Sequence, residues 1–295
     1  MAAIDGFALM IGRPIHLILP WAALAAMFAV AGCSSGLLLS GAPDADDSFA
    51  ESSSANLASL TDVVMRSPND PQAYNMRGSV YGQMRQPKEA LEDFNKAIQL
   101  DPKFAQAYAN RGLVHRQMGK LDLAIADYDR ALAIDPNYAA AYLGRGMVRR
   151  QRGQSIQALN DFNKTIAIRP DNAQAYHNRG LLYQSQRQHQ FAIDDFSTAI
   201  TLNTQEAEPL IARGLSYLVV NDAKSAAGDL DQAVVLEPQN VAGWTARGLA
   251  YERLRNRERS AGSYARALNL KKDHAPAREG FVRTGGEWGK SYQTF

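Results

Sequence analysis

A disulfide within this chain is impossible, because the sequence holds a single cysteine, Cys33. Cysteine pairing therefore says nothing about the redox compartment. Charge of one sign is equally scarce. A net charge of +2 sets up no global field for nucleic acid or an acidic membrane surface. Glycine and proline, 22 and 12 of 295 residues, are at ordinary levels, which excludes a chain disordered by composition. No glycine-rich loop of phosphate-cradling spacing occurs. The histidines His115, His177, His189 and His274 are scattered, and no pair has metal-ligand spacing with a carboxylate on the same face. No enzyme activity, cofactor, metal or nucleic-acid partner is expected.

What is present begins with the leader. Ile15 to Ala31 is almost wholly apolar, Arg13 precedes it, and Val30, Ala31, Gly32 and Cys33 end it. A positive start, a short apolar stretch and small residues before a cut site make a secretory signal. The Val-Ala-Gly-Cys order resembles the bacterial lipobox, in which cleavage leaves a diacylated N-terminal cysteine. The expectation is a signal peptide over 1–32 and a lipid on Cys33. Asp5 departs from a positive start, and Met10 offers a start without it. Residues 33–54, rich in Ser, Ala, Gly and Asp, read as a flexible tether.

From Pro71 the chain repeats every 34 residues, six times, with no insertion or deletion, up to residue 274. In each unit, counted from its first residue, position 8 is glycine, from Gly78 to Gly248. Position 20 is alanine from Ala90 to Ala226, then Ser260. Aromatic or large apolar groups recur at position 4 (Tyr74, Tyr108, Tyr142, Tyr176, Leu210, Trp244) and at position 24 (Phe94, Tyr128, Phe162, Phe196, Leu230, Tyr264). Small residues let two helices approach closely while large ones fill the space around them. Pro102, Pro136, Pro170 and Pro238 stop the second helix of their units. Leu57, Leu60, Val63 and Val64, at helical spacing, predict a capping helix over 55–70. A second cap and a tail occupy 275–295, with Trp288, Tyr292 and Phe295 near the end.

One charge pattern keeps the same phase. Position 7 is Arg77, Arg111, Arg145, Arg179, Arg213 and Arg247; position 23 is Asp93, Asp127, Asp161, Asp195 and Asp229, then Ser263. The row could grip an anionic ligand. Structural ion pairing is the preferred reading, since a half-buried arginine demands a carboxylate.

This pattern resembles the tetratricopeptide repeat, a helix–turn–helix of 34 residues. The resemblance implies an all-α, right-handed superhelical solenoid of six repeats with a capping helix at each end. It implies a protein-binding scaffold whose first helices line a concave groove. Carried onto this chain, the groove is lined by Leu113, Arg116, Leu143, Met147, Arg150, His177, Leu181, Gln184, Ile211, Leu215 and Leu218. A partner's peptide segment, a second copy of the chain or the 288–295 tail would occupy it. The lysines with which chaperone-docking members hold a terminal carboxylate are missing, which argues against that role. With the leader, the chain resembles tetratricopeptide lipoproteins of the bacterial envelope, NlpI-type adaptors among them. That resemblance implies outer-membrane attachment facing the periplasm. It also implies a role joining a periplasmic protease to peptidoglycan hydrolases or, alternatively, a pilotin role toward a secretin.

Overall fold

The computed structural model describes residues 45–292, with side chains from residue 56 onward. Residues 1–32, Cys33 and the first part of the tether lie outside the described residues. Helix α1 (Ala45–Arg66) is followed by six helix pairs and a last helix. The pairs are α2 and α3 (Pro71–Gln83, Pro87–Leu100), α4 and α5 (Ala105–Gln117, Leu121–Ile134), α6 and α7 (Ala139–Gln151, Ser155–Ile168), α8 and α9 (Ala173–Ser185, His189–Leu202), α10 and α11 (Ala207–Val219, Ala223–Leu236), and α12 and α13 (Val241–Arg253, Arg257–Leu270). The last helix is α14 (Ala275–Arg283). Among the described residues there is no strand, and no helix is long and apolar enough to cross a membrane. The array is the expected tetratricopeptide solenoid.

Helix α1 starts at Ala45, inside the stretch read as tether. Serine and aspartate content misled that reading. Between Pro43 and Pro68 there is no glycine or proline, and Asp46 and Asp47 suit a helix N-terminus. The helix stops at Arg66, just before Ser67 and Pro68. Its inward face is Leu57, Leu60, Thr61 and Val64, whereas Val63 points outward and is 42% exposed.

Within each pair the position-8 glycine is a contact point. A Cβ on Gly146 would stand 2.7 Å from the ring of Phe162, so the backbone of α6 lies directly on that ring. Position 24 is coupled to position 6 of the next unit. Where position 24 is tyrosine, the hydroxyl needs room, and Gly144 and Gly280 provide it for Tyr128 and Tyr264. Where it is phenylalanine or leucine, the facing residue is Asn110, Asn178, Ala212 or Ala246.

First helices of neighbouring units touch one another, and second helices do not. The first helices therefore form the inner, concave wall. At the C-terminal end, Gly285 turns the chain back at φ 74° and the tail packs on Phe281. Trp288 lies 4.6 Å and Tyr292 6.0 Å from that ring, centroid to centroid. These two side chains cover the end of the solenoid and do not enter the groove, contrary to one of the occupants expected from sequence; Phe295 lies outside the described residues.

Candidate functional site: the concave groove and the arginine ladder

The ladder behind the groove forms as the spacing predicts. Arg77 donates to Asp93 through Nε and Nη2, each at 2.7 Å, a two-pronged contact. Arg111–Asp127, Arg145–Asp161, Arg179–Asp195 and Arg213–Asp229 repeat it. These hydrogen bonds hold Arg77, Arg179 and Arg213 above the ordinary arginine range, against the effect of burial. In the last unit Ser263 replaces the aspartate, and Arg247 turns to Asp231 at 2.6 Å while keeping a bond to the Ser263 hydroxyl.

A second half of the ladder went unread in the sequence. The remaining guanidinium nitrogen of the next four arginines after Arg77 reaches back to position 25 of the preceding unit, as Arg247 does to Asp231 through Nε. Arg111 donates to Asn95, Arg145 to Asp129, Arg179 to Asn163 and Arg213 to Ser197. From Arg111 onward each arginine thus bolts its own helix pair and ties that pair to its predecessor. The signal was available, since position 25 holds an acceptor in five units and Ala265 in the sixth, where the following helix α14 carries Phe281 at the arginine position. The position-4 tyrosines, expected in the core, are only half-buried. They stack on these arginines, as Tyr108 does on Arg111 at 5.4 Å.

The predicted groove residues separate into three groups. Leu143, Ile211 and Leu218 are buried, at 9%, 9% and 5% exposure. They pack between helices, because position 5, and position 12 in the fifth unit, face a neighbouring helix rather than solvent. Gln184 is half-buried and ties two units together, donating to the Ala212 carbonyl and the Ser216 hydroxyl, both at 2.9 Å. His177 is also a packing residue, tilted on Phe196 at 5.7 Å. Burial, with the charge of Arg150 added, pushes His177 down to about 4, so it is neutral at neutral pH.

What remains on the surface is one column. Position 9 carries Leu113, Met147, Leu181, Leu215 and Leu249 over five units. Leu113 and Leu215 are 39% and 38% exposed, and the other three are partly so. Beside this apolar column stand Arg116 and Arg150 at position 12. The Nε of each is buried with no hydrogen-bond acceptor. Burial, with Arg116 adding its own charge, lowers Arg150 below the ordinary arginine range. Burial also pushes the Tyr128 hydroxyl up to about 12, while Arg116 beside it pulls the other way. The hollow around Arg150 is lined by Glu208, on the groove-facing side of its helix, and by Glu206 and Glu237, which the repeat positions do not mark. Among the described residues no cluster of His, Cys, Asp and Glu is arranged to hold a metal.

Family models for the tetratricopeptide repeat match residues 71–104, 105–138 and 173–204, a second matches 146–186 and a third 211–276. Together they span more than half of the chain. The chain belongs to the tetratricopeptide-repeat family. Repeats of this family serve protein–protein interaction, generally without catalysis, and that coarse role follows for this chain. Comparison with curated proteins gives no match. Several solved structures share the fold. One is the Cut9–Hcn1 hetero-tetramer of the APC/C, with TM-score 0.70, 21% identity, and coverage of 79% of this chain and 46% of that one. The present chain therefore spans less than half of that protein. The PilF structure from Pseudomonas aeruginosa has TM-score 0.67 and 19% identity, covering 72% of this chain and 97% of the other. YrrB, described as a tetratricopeptide protein with an unusual peptide-binding site, has TM-score 0.54 and 24% identity, covering 64% and 97%. At these identities the likeness establishes the fold alone.

Proposed function

We propose that this chain is a non-catalytic scaffold that takes a segment of a partner protein along its concave groove. The supporting observation is the position-9 column, in which large apolar side chains face solvent in four successive units from Leu113 to Leu215. Contiguous exposed apolar surface on a soluble array marks an interaction site. The test is Leu113→Glu combined with Leu215→Glu. Both sites are exposed, so circular dichroism and melting stay near those of the parent. A photo-crosslinking amino acid at position 147 or 181 then captures the partner in the parent and not in the double variant. Equal capture in the folded variant places the site elsewhere. Leu143→Glu is unsuitable for this purpose, because Leu143 is a core residue.

The scaffold works at the bacterial cell envelope, held by a lipid on Cys33 and facing the periplasm. Val30-Ala31-Gly32-Cys33 after an apolar stretch supports this. Cys33→Ser is expected to abolish labelling by a fatty-acid analogue and to release the protein from the membrane fraction; undiminished labelling would refute the anchor. Within the envelope the adaptor role is the preferred reading. Capture of a protease together with a peptidoglycan hydrolase supports it, and capture of a secretin subunit supports the pilotin role instead.

A further inference from the structure

We infer that Arg116 and Arg150 form a carboxylate subsite in the floor of the groove, which takes an acidic side chain of the segment bound there. This rests on the groove reading above and adds the chemistry that the segment must carry.

The argument starts from a contrast within one molecule. Each of the six ladder arginines has a hydrogen-bonded acceptor. Arg149 is paired with Asp161 at 2.8 Å, and Arg152 with Asp122. Arg283 is paired with Glu252 at 2.6 Å. Arg116 and Arg150 form no ion pair among the described residues, although both are half-buried and their Nε atoms are shielded from solvent and unbonded; Arg116 reaches only a neutral partner, the Tyr128 hydroxyl. A guanidinium withdrawn from water without an acceptor is costly, and a second cation nearby adds to the cost.

Packing does not require that cost. The other units fill position 12 with Gly82, Gln184, Leu218 and Glu252 in the same helical framework. The internal repeats act as a built-in substitution experiment, and arginine is dispensable to the fold at this position. The two arginines fall in consecutive units and open into adjoining hollows that share Met147 and Gln174 as lining residues. They therefore flank one stretch of the groove beside the apolar column.

The surroundings select the anion. Guanidinium groups match the planar, two-oxygen geometry of a carboxylate. Neutral His177 contributes no third positive charge. Glu208, whose carboxylate lies 3.9 Å from His177 Nε2, stands with Glu206 and Glu237 on the rim and repels a dianion. A single negative charge satisfies the arginine pair and meets about half the repulsion that a dianion would, so a carboxylate is favoured over a phosphate.

Two measurements on the full chain test this without any partner. In the first, Arg150→Gln and Arg116→Gln are each expected to melt at or above the temperature of the parent, since each removes a half-buried charge that no carboxylate balances and glutamine can still donate to the Tyr128 hydroxyl. A drop as large as that of Asp161→Ala would make them structural and overturn the inference. In the second, the arginine Nε–Hε resonances are followed as N-acetylglutamate amide, N-acetylglutamine amide or inorganic phosphate is added. Arg116 and Arg150 are expected to shift with the glutamate compound and not with the glutamine compound, while the ladder arginines stay fixed. No shift at the two arginines overturns the subsite, and a larger shift with phosphate overturns the choice of carboxylate. The groove reading fails separately, through undiminished capture by the leucine double variant.

Discussion

At the scale of single residues, the chain shows what distinguishes an arginine that holds structure from one available for recognition. Both kinds are half-buried. The ladder arginines are matched by carboxylates at fixed offsets, and the groove arginines are not. Asp161 is the most deeply placed carboxylate of the ladder, at 2% exposure, and it accepts from Arg145 and from Arg149. Removing it leaves two guanidinium groups without their main acceptor. Asp161→Ala is therefore expected to destabilise the protein by about 3 kcal/mol, in the range for breaking a buried pair, as read by chemical denaturation. Retained stability together with lost partner capture would mean that the row recognises ligands. The i to i+16 offset of this pairing was legible in the sequence because it recurs in phase five times. The reach back to position 25 was not read, because asparagine, serine and aspartate look unlike one another until a single donor is seen to bind them all.

At the scale of the element, the turn between the two helices of each unit sets the pairing geometry. Position 15 is left-handed in every unit: Gly119 and Gly153 at φ 72°, but Arg85, Arg187, Asn221 and Arg255 at φ 56°, 60°, 65° and 58°. Glycine adopts this conformation without steric penalty, whereas a side chain with a Cβ pays roughly 1–2 kcal/mol. Part of the gain from a glycine is lost to the greater freedom of the unfolded chain. Arg187→Gly is therefore expected to stabilise the fold by about 0.5–1 kcal/mol, and Gly153→Ala to destabilise it by about 1 kcal/mol. Asn221→Gly should change little, since asparagine tolerates this region. Thermal melts of the three variants check the order, and equal melting temperatures would show that the turns relax.

At the scale of the whole molecule, a solenoid has no central core, and each unit is stabilised by its neighbours. The ends then matter more than their size suggests. Phe281 is 1% exposed because the 285–292 segment folds over it with Trp288 and Tyr292. Deleting residues after Thr284 uncovers that ring, a loss of about 1.5–3 kcal/mol of apolar burial. The loss is expected to stay local. Hydrogen exchange should speed up in α12 to α14 and remain slow in α4 to α9, because coupling passes only between adjacent units. Uniform acceleration along the chain would show instead that the array unfolds as one cooperative unit.

The sequence by itself determined the repeat number, the helix pairs and the ladder's first half, because a strict 34-residue period turns each unit into a check on the others. The capping helices were legible too, although the start of α1 was hidden by a serine-rich composition. Only the tertiary structure decided which inner-face residues meet solvent. Leu143 and Leu113 are both leucines on first helices, yet one is buried between units and the other lies open. That difference depends on how far each helix is rotated toward the next unit, and on which volume the preceding position-24 side chain leaves vacant. Neither quantity is a property of one unit's sequence, since both arise from the packing of two.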